Sequence, residues 1–304
     1  MTRISAISAL GVLLELQGNL MSATPQKGPA FYSDVHGAGA LIRSMHEMGK
    51  IDPQYHRIRD RAIEWSLRHM HPFPSGGSTW LQNPSAPKDH PSFHIAITTI
   101  SAFNGQVLLE ICQETDQKKY LGQVRENMRW LMSSSIKHNE PRWGDMFAWT
   151  SRHSLDGPAR TAKPRPLLSG HSWGVGSTLD ALATYYLATG DESVVSYLVG
   201  GVRYVCSAGQ REGIGDQLQI SWKRYDGSVV MGYCRGNAGT TYGLLKVAEA
   251  LPGVTIIKNK TIEDVVNASL LFILRQAREN KNGIIWENMN GRVGEVNLGY
   301  GRGI

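Results

Sequence analysis

The sequence predicts an all-α fold, an (α/α) toroid of repeated antiparallel helical hairpins. Three observations predict it: a glycine-rich entry that recurs at nearly constant spacing, helical periodicity of apolar residues behind each entry, and scarce strand-like alternation. Taking Gly39, Gly105, Gly176 and Gly239 as anchors, the intervals are 66, 71 and 63 residues. That is the length of two helices and their connections.

The first unit runs from Asp34 through DVHGAGALIRSMHEMGKIDPQYHRIRDRAIEWSLRHM, and Ile58, Ala62 and Trp65 in it suit an outer helix packing back on an inner one. The second runs from Ser101 through SAFNGQVLLEICQETDQKKYLGQVRENMRWLM. In the third, from Gly170, the residues Leu179, Leu182, Ala183, Tyr186 and Leu187 recur at helical spacing. Thr189-Gly190-Asp191 then ends one helix and caps the next. Period-2 alternation occurs only over LQISW, 218–222, where a short β-ribbon is expected. The fourth unit starts at Gly232 with GYCRGNAGTTYGLLKVAEAL. A fifth entry begins near Gly299, and its hairpin is missing from the sequence. The expected layout is therefore a toroid domain over 31–304 lacking its last hairpin or hairpins, either a truncated ring or a piece of a longer chain. The proline-rich spans 72–91 and 141–166 are expected to be long loops covering one mouth of the ring.

Residues 1–30 precede the repeats. Arg3, the apolar run from Ile4 to Leu14 and Met21-Ser22-Ala23 before Thr24 fit a signal segment, whereas Glu15 ends the run early and fits an amphipathic helix equally well. Three cysteines in 304 residues are too few and too odd for a disulfide framework, so the default expectation is cytoplasmic, with secretion as the alternative. The net charge of +6 is spread along the chain, and its densest stretch, Arg160 to Arg165, lies among prolines. Neither a nucleic-acid module nor a membrane-spanning run of ~18 apolar residues is present.

Inner helices of such a ring aim their N-termini, with unpaired N–H groups and a partial positive charge, towards one end of the hollow. Glycines let the backbones crowd there, and packing alone accounts for most of them. Polar residues at the entries are the functional candidates: Asp34, His36, His94, His171, Cys234, Arg235 and Arg302. Each histidine alone also fits a hydrogen-bonded packing role. Cys234 fits either a small buried hydrophobe or a thiolate ligand.

At GYCRGNAGTTYGLL the chain resembles the lanthionine synthetase C-like family, over residues 30 to 304, and DVHGAG and ATGD resemble that family's hairpins. The resemblance implies a zinc-dependent addition of a peptide thiol to a dehydrated Ser or Thr. Cys234 would be a zinc ligand, His171 the acid/base residue, and Asp34 the matching acidic entry residue. The Cys-His pair that should complete the metal site is replaced by Gly301 and Arg302, so further ligands such as His171 or His94 would be needed. A peptide or small-molecule substrate is expected.

Two other readings stand beside this one. CRGNAGTTYG also resembles the R-G-N-x-W entry of unsaturated glycuronyl hydrolases among the six-hairpin glycosidases. Asp34, Asp145 and Asp226 are then the candidate carboxylates, and Trp80, Trp143, Trp149, Trp173 and Trp222 are candidate sugar-stacking rings. The third reading is a toroid that has lost its chemistry and binds a ligand in its hollow.

Overall fold

A computed structural model describes residues 34–82, 88, 95–115, 118–154, 169–171, 174–214, 217–223, 227–233, 236–257, 259–280 and 283–286. The N-terminal segment read as helix or signal and the fifth entry lie outside these residues. Four helical hairpins are described. Their inner helices are α1 (Asp34–Gly49), α3 (Thr98–Thr115), α5 (Gly176–Thr189) and α7 (Asn237–Ala250). Their outer helices are α2 (Gln54–Arg68), α4 (Leu121–Ser133), α6 (Val195–Ala208) and α8 (Ile262–Arg275).

Successive inner helices pack side by side, α1 on α3, α3 on α5 and α5 on α7, and each outer helix backs its own inner partner. Residue distribution explains the two layers. The outer helix α2 buries one stripe, Arg59, Ala62, Ile63 and Ser66, whereas α3 is buried round most of its circumference. This is the (α/α) toroid that the repeat predicts. Among the described residues no helix is long and apolar enough to cross a membrane.

The expected turn of the third unit forms as read. Gly190 ends α5 in the left-handed conformation at φ 66°, and the Asp191 side chain accepts from the Ser193 N–H to start the next turn. Thr261 and Asp264 form a reciprocal capping box that starts α8.

Strands are more frequent than the sequence suggests. Each outer helix runs into a two-stranded antiparallel ribbon, and the chain leaves the first three of these ribbons for the next inner helix. The ribbons are β1/β2 (Met70–Pro72, Ser78–Trp80), β4/β5 (Ile136–Glu140, Gly144–Ala148), β7/β8 (Gln210–Glu212, Gln219–Ser221) and β11/β12 (Ala277–Asn280, Gly283–Trp286). In addition β3 (Ile95–Ile97) pairs with β6 (Arg152–Ser154), and β9 (Thr255–Ile257) pairs with β10 (Lys260–Thr261) between α7 and α8. Only β8 falls on the predicted LQISW. The spans 72–91 and 141–166, expected as loops, contain β2, β5 and β6. Strands of three to five residues hold too few alternations to register as a pattern.

The tryptophans correct another expectation. Trp80, Trp149 and Trp222 stand at or just after the second strand of successive ribbons, and each is almost wholly buried. Their indole N–H groups donate to the carbonyls of Ser66, Leu131 and Val205, at 2.9, 2.7 and 2.8 Å. All three acceptors lie in the last turn of the preceding outer helix, where carbonyls lack a partner within the helix. Trp143 is also buried, with the Arg142 and Arg211 guanidiniums beside its ring. These four rings are buried against their surroundings rather than offering faces to a sugar; Trp173 lies outside the described residues.

Candidate active site on the inner wall

The site begins with contact between backbones. A Cβ on Gly239 would lie 1.8 Å from the Tyr233 carbonyl oxygen and 2.4 Å from the His171 nitrogen, and one on Gly243 would lie 2.6 Å from the Gly176 Cα. Only glycine allows α5 and α7 to approach so closely. The segments entering the two helices are thereby stitched together: the His171 N–H donates to the Tyr233 carbonyl at 2.9 Å and the Gly170 N–H to Thr240 Oγ1 at 2.7 Å. The packing role expected for the entry glycines is what these contacts show.

This stitching fixes the His171 imidazole. Its ring stacks on Tyr233 at 4.7 Å between centroids and meets the edge of Tyr242 at 5.6 Å, while Tyr233 and Tyr242 also meet edge to face. Nε2 lies 2.9 Å from Oδ2 of Asp180, a residue in the second turn of α5 that is 2% exposed. Two further donors serve that carboxylate: Gln106 Nε2 of α3 reaches Oδ2 at 3.2 Å and Thr184 Oγ1 reaches Oδ1 at 3.3 Å. A buried carboxylate is costly to desolvate, and three donors offset that cost.

Among the described residues α3 and α5 have an inner helix on each flank and an outer helix behind, so their more exposed positions mark the inner face. Leu187 of α5 is such a position, and Tyr242 and Leu245 of α7 are also exposed. Arg43 of α1 makes a two-pronged ion pair with Glu110 of α3, with both carboxylate oxygens 2.6 Å from Nη2, and rests 5.0 Å from the centre of the Phe103 ring. Lys246 lies 5.7 Å from the Tyr242 ring centre and pairs with Glu249, a hydrogen bond that raises its pKa.

Of the residues singled out from sequence, His171 lies on this wall. Asp34 opens α1, and its side chain is outside the described residues, as are the His36 side chain and His94, Asp226, Cys234, Arg235 and Arg302. Asp145 sits on β5, which packs along the outer helix α6. Its carboxyl is held below the usual range by Lys137, 2.7 Å away, and by Asn139. It is an ionised ribbon charge, not an acid of the wall. Sequence reasoning missed Asp180, Gln106, Tyr233 and Tyr242. The one available signal was Asp180 itself, a lone carboxylate within the apolar run STLDALATYYL.

Cys234, the expected zinc ligand, lies outside the described residues, and His171 directs Nε2 at Asp180. His46, Glu47 and Glu114 bring ligand atoms within 4.8 Å of one another. His46 is nonetheless fully engaged, with Nδ1 accepting from Arg59 at 3.0 Å and Nε2 3.0 Å from Glu114, and Lys50 neutralises Glu114 from 2.7 Å.

No protein-family model matches the chain, and no curated protein matches it. Solved structures do share the fold. The GH76A α-1,6-mannanase from Salegentibacter sp. HEL1_6 aligns at TM-score 0.52 and 15% identity, over 82% of this chain and 66% of the mannanase. An inactive double Asp→Asn variant of that enzyme with α-1,6-mannotriose aligns at 0.50 and 14%, over 84% and 68%. The cellobiose 2-epimerase from Spirochaeta thermophila DSM 6192 aligns at 0.55 and 13%, over 88% and 71%. The chain thus spans about two thirds of the length of the mannanase it resembles. These neighbours overturn the lanthionine synthetase C-like assignment and the peptide cyclisation that came with it: the fold matches toroids named for acting on saccharides. The short glycine motifs that suggested the cyclases are packing devices which this architecture requires for close inner-helix contact, so they do not discriminate between families.

Proposed function

We propose that the chain is a carbohydrate-active enzyme of the six-hairpin glycosidase type, in which His171 is the acid–base residue and Asp180 orients it. The observation that carries this reading is the buried His171–Asp180 pair, 2.9 Å apart, beside Tyr233 and Tyr242 on the inner wall. A histidine with one nitrogen anchored on a carboxylate is the arrangement of an oriented proton carrier. Tyrosines beside it suit a sugar, whose C–H faces pack on rings while its hydroxyls take hydrogen bonds. Asp34, at the start of α1, is the second candidate acid–base group.

The reaction class that best fits is proton transfer at the carbon next to the carbonyl of an open-chain reducing sugar, as in epimerisation or isomerisation. Glycoside hydrolysis usually engages two carboxyl groups directly on the substrate. Asp180, the buried carboxylate of this wall, is occupied by His171, Gln106 and Thr184. The mannanase variant described as inactive is altered at two consecutive aspartates, and this sequence contains no Asp-Asp pair.

The test is incubation of the purified chain with β-1,4- and α-1,6-linked di- and trisaccharides in D2O. Deuterium entering next to the reducing-end carbonyl, lost in His171→Asn, is the expected result. Release of shorter saccharides without exchange would establish hydrolysis instead, and neither product nor exchange with any saccharide would refute the proposal.

A further inference from the structure

Asp180 Oδ2 is shared. His171 Nε2 lies 2.9 Å from it and Gln106 Nε2 lies 3.2 Å from it, while Thr184 holds the other oxygen. An ionised carboxylate only accepts hydrogen bonds, so the imidazole nitrogen facing it carries a proton. The lone pair of the neutral ring is then on Nδ1, and Nδ1 makes no hydrogen bond among the described residues. Gln106 belongs to α3, the helix packed beside α5, so the lock on Asp180 spans two units of the ring.

We infer that Asp180 fixes His171 as the Nε2–H tautomer, which makes Nδ1 the nitrogen that exchanges a proton with substrate, and that Gln106 is a positioning residue that holds Asp180 Oδ2 towards Nε2 from the neighbouring inner helix. This inference rests on His171 being the acid–base group. In the step concerned, a substrate C–H bond breaks as its proton passes to Nδ1, and the electron pair is held in the adjoining enediol system. The imidazolium keeps its Nε2–H on Asp180, and Nδ1 delivers the proton to the former carbonyl carbon in an isomerisation, or to the other face of the carbon it left, once the enediolate has turned, in an epimerisation. No oxidant, reductant or co-reactant enters the balance. Without the Gln106 donor, the carboxylate can turn about its Cβ–Cγ bond; either oxygen still accepts from Nε2–H, so the tautomer stays while the hydrogen bond that orients the imidazole loosens.

The test is 15N NMR of the full chain labelled at histidine, with the His171 signals identified by their loss in His171→Asn. Bare and protonated ring nitrogens resonate far apart, so the tautomer is read directly and without substrate. The expected spectrum has Nε2 protonated and Nδ1 bare. Gln106→Leu, and Gln106→Met as a second donor-free side chain of similar length, should keep this tautomer while the Nε2–H proton, held less firmly, exchanges faster with water. Their turnover should fall about tenfold or more with KM little changed, since the imidazole loses its set orientation. Asp180→Asn, whose amide offers a donor, should shift the proton to Nδ1. A protonated Nδ1 in the native chain, or Nε2–H exchange in Gln106→Leu as slow as in the native chain, would overturn the inference. If the tautomer and the exchange are as stated but no saccharide is turned over, the lock stands and the functional reading falls.

Discussion

The indole N–H of Trp149 donates to the main-chain carbonyl of Leu131 at 2.7 Å, tying the end of a ribbon to the last turn of the helix from which it departed. Trp80 and Trp222 repeat the bond in the units before and after, on Ser66 and Val205. Trp286 closes β12 at the position that Trp80 holds in β2. One bulky side chain thus fills the joint between units and satisfies a helix-end carbonyl.

Replacing Trp149 by Phe keeps a ring in the joint and removes the donor. The Leu131 carbonyl then keeps only its hydrogen bond from Ser134 Oγ, so the loss is that of one hydrogen bond, about 0.5–1.5 kcal/mol. Urea unfolding should show a lower midpoint at unchanged slope, and an unchanged midpoint would refute the role given to the bond.

Gly239→Ala forces a methyl group onto the Tyr233 carbonyl and the His171 nitrogen. The backbone must shift where α5 meets α7, so a loss of about 1–3 kcal/mol or more is expected, together with displacement of the imidazole. Gly122 in α4 has nothing within 4 Å of an added Cβ. There the same change should be neutral or stabilise by up to about 1 kcal/mol. Thermal unfolding of the two variants side by side gives the comparison, and equal effects would contradict it.

Burial pushes the His153 imidazole down from 6.5 to about 4, against a smaller opposing effect of its contact with Thr150. The unfolded chain therefore binds this proton more readily than the folded one. Stability attributable to His153 is fully present above pH 6.5 and is lost as pH falls towards 4, by about 3 kcal/mol across the interval. His153→Gln should flatten the slope of unfolding free energy against pH in that window. A variant retaining the native slope would place the effect elsewhere.

His171→Ala should lower saccharide turnover by about 10²–10⁴ while leaving the helical content intact. Asp180→Ala should lower it as well. It also leaves the Gln106 and Thr184 donors without their acceptor, so it should cost about 1–3 kcal/mol of stability. Steady-state kinetics and chemical unfolding on the same preparations separate the two effects. Full activity in either variant would remove the pair from the chemistry.

The helices were legible because each carries a periodic signal along many residues, and the recurrence of Gly39, Gly105, Gly176 and Gly239 declared the hairpin unit. The ribbons were not legible, because strands such as Gln210–Glu212 are fully polar and exposed and pair through backbone alone. His171 was visible as a polar residue at an entry. Asp180 was hidden by being helical and surrounded by apolar residues, where its spacing matches the core.

By itself the sequence determined the two-layer helical architecture, its period and one residue of the wall, since periodicity and turn chemistry act over short stretches of chain. Only the tertiary structure decided that Trp149 is a joint rather than a sugar platform, that Asp145 belongs to a ribbon, and that Gln106, Asp180 and His171 share one hydrogen-bonded chain. Those relations join residues up to 74 positions apart. They depend on how neighbouring helices set their backbones against one another, and a local pattern carries no record of that distance.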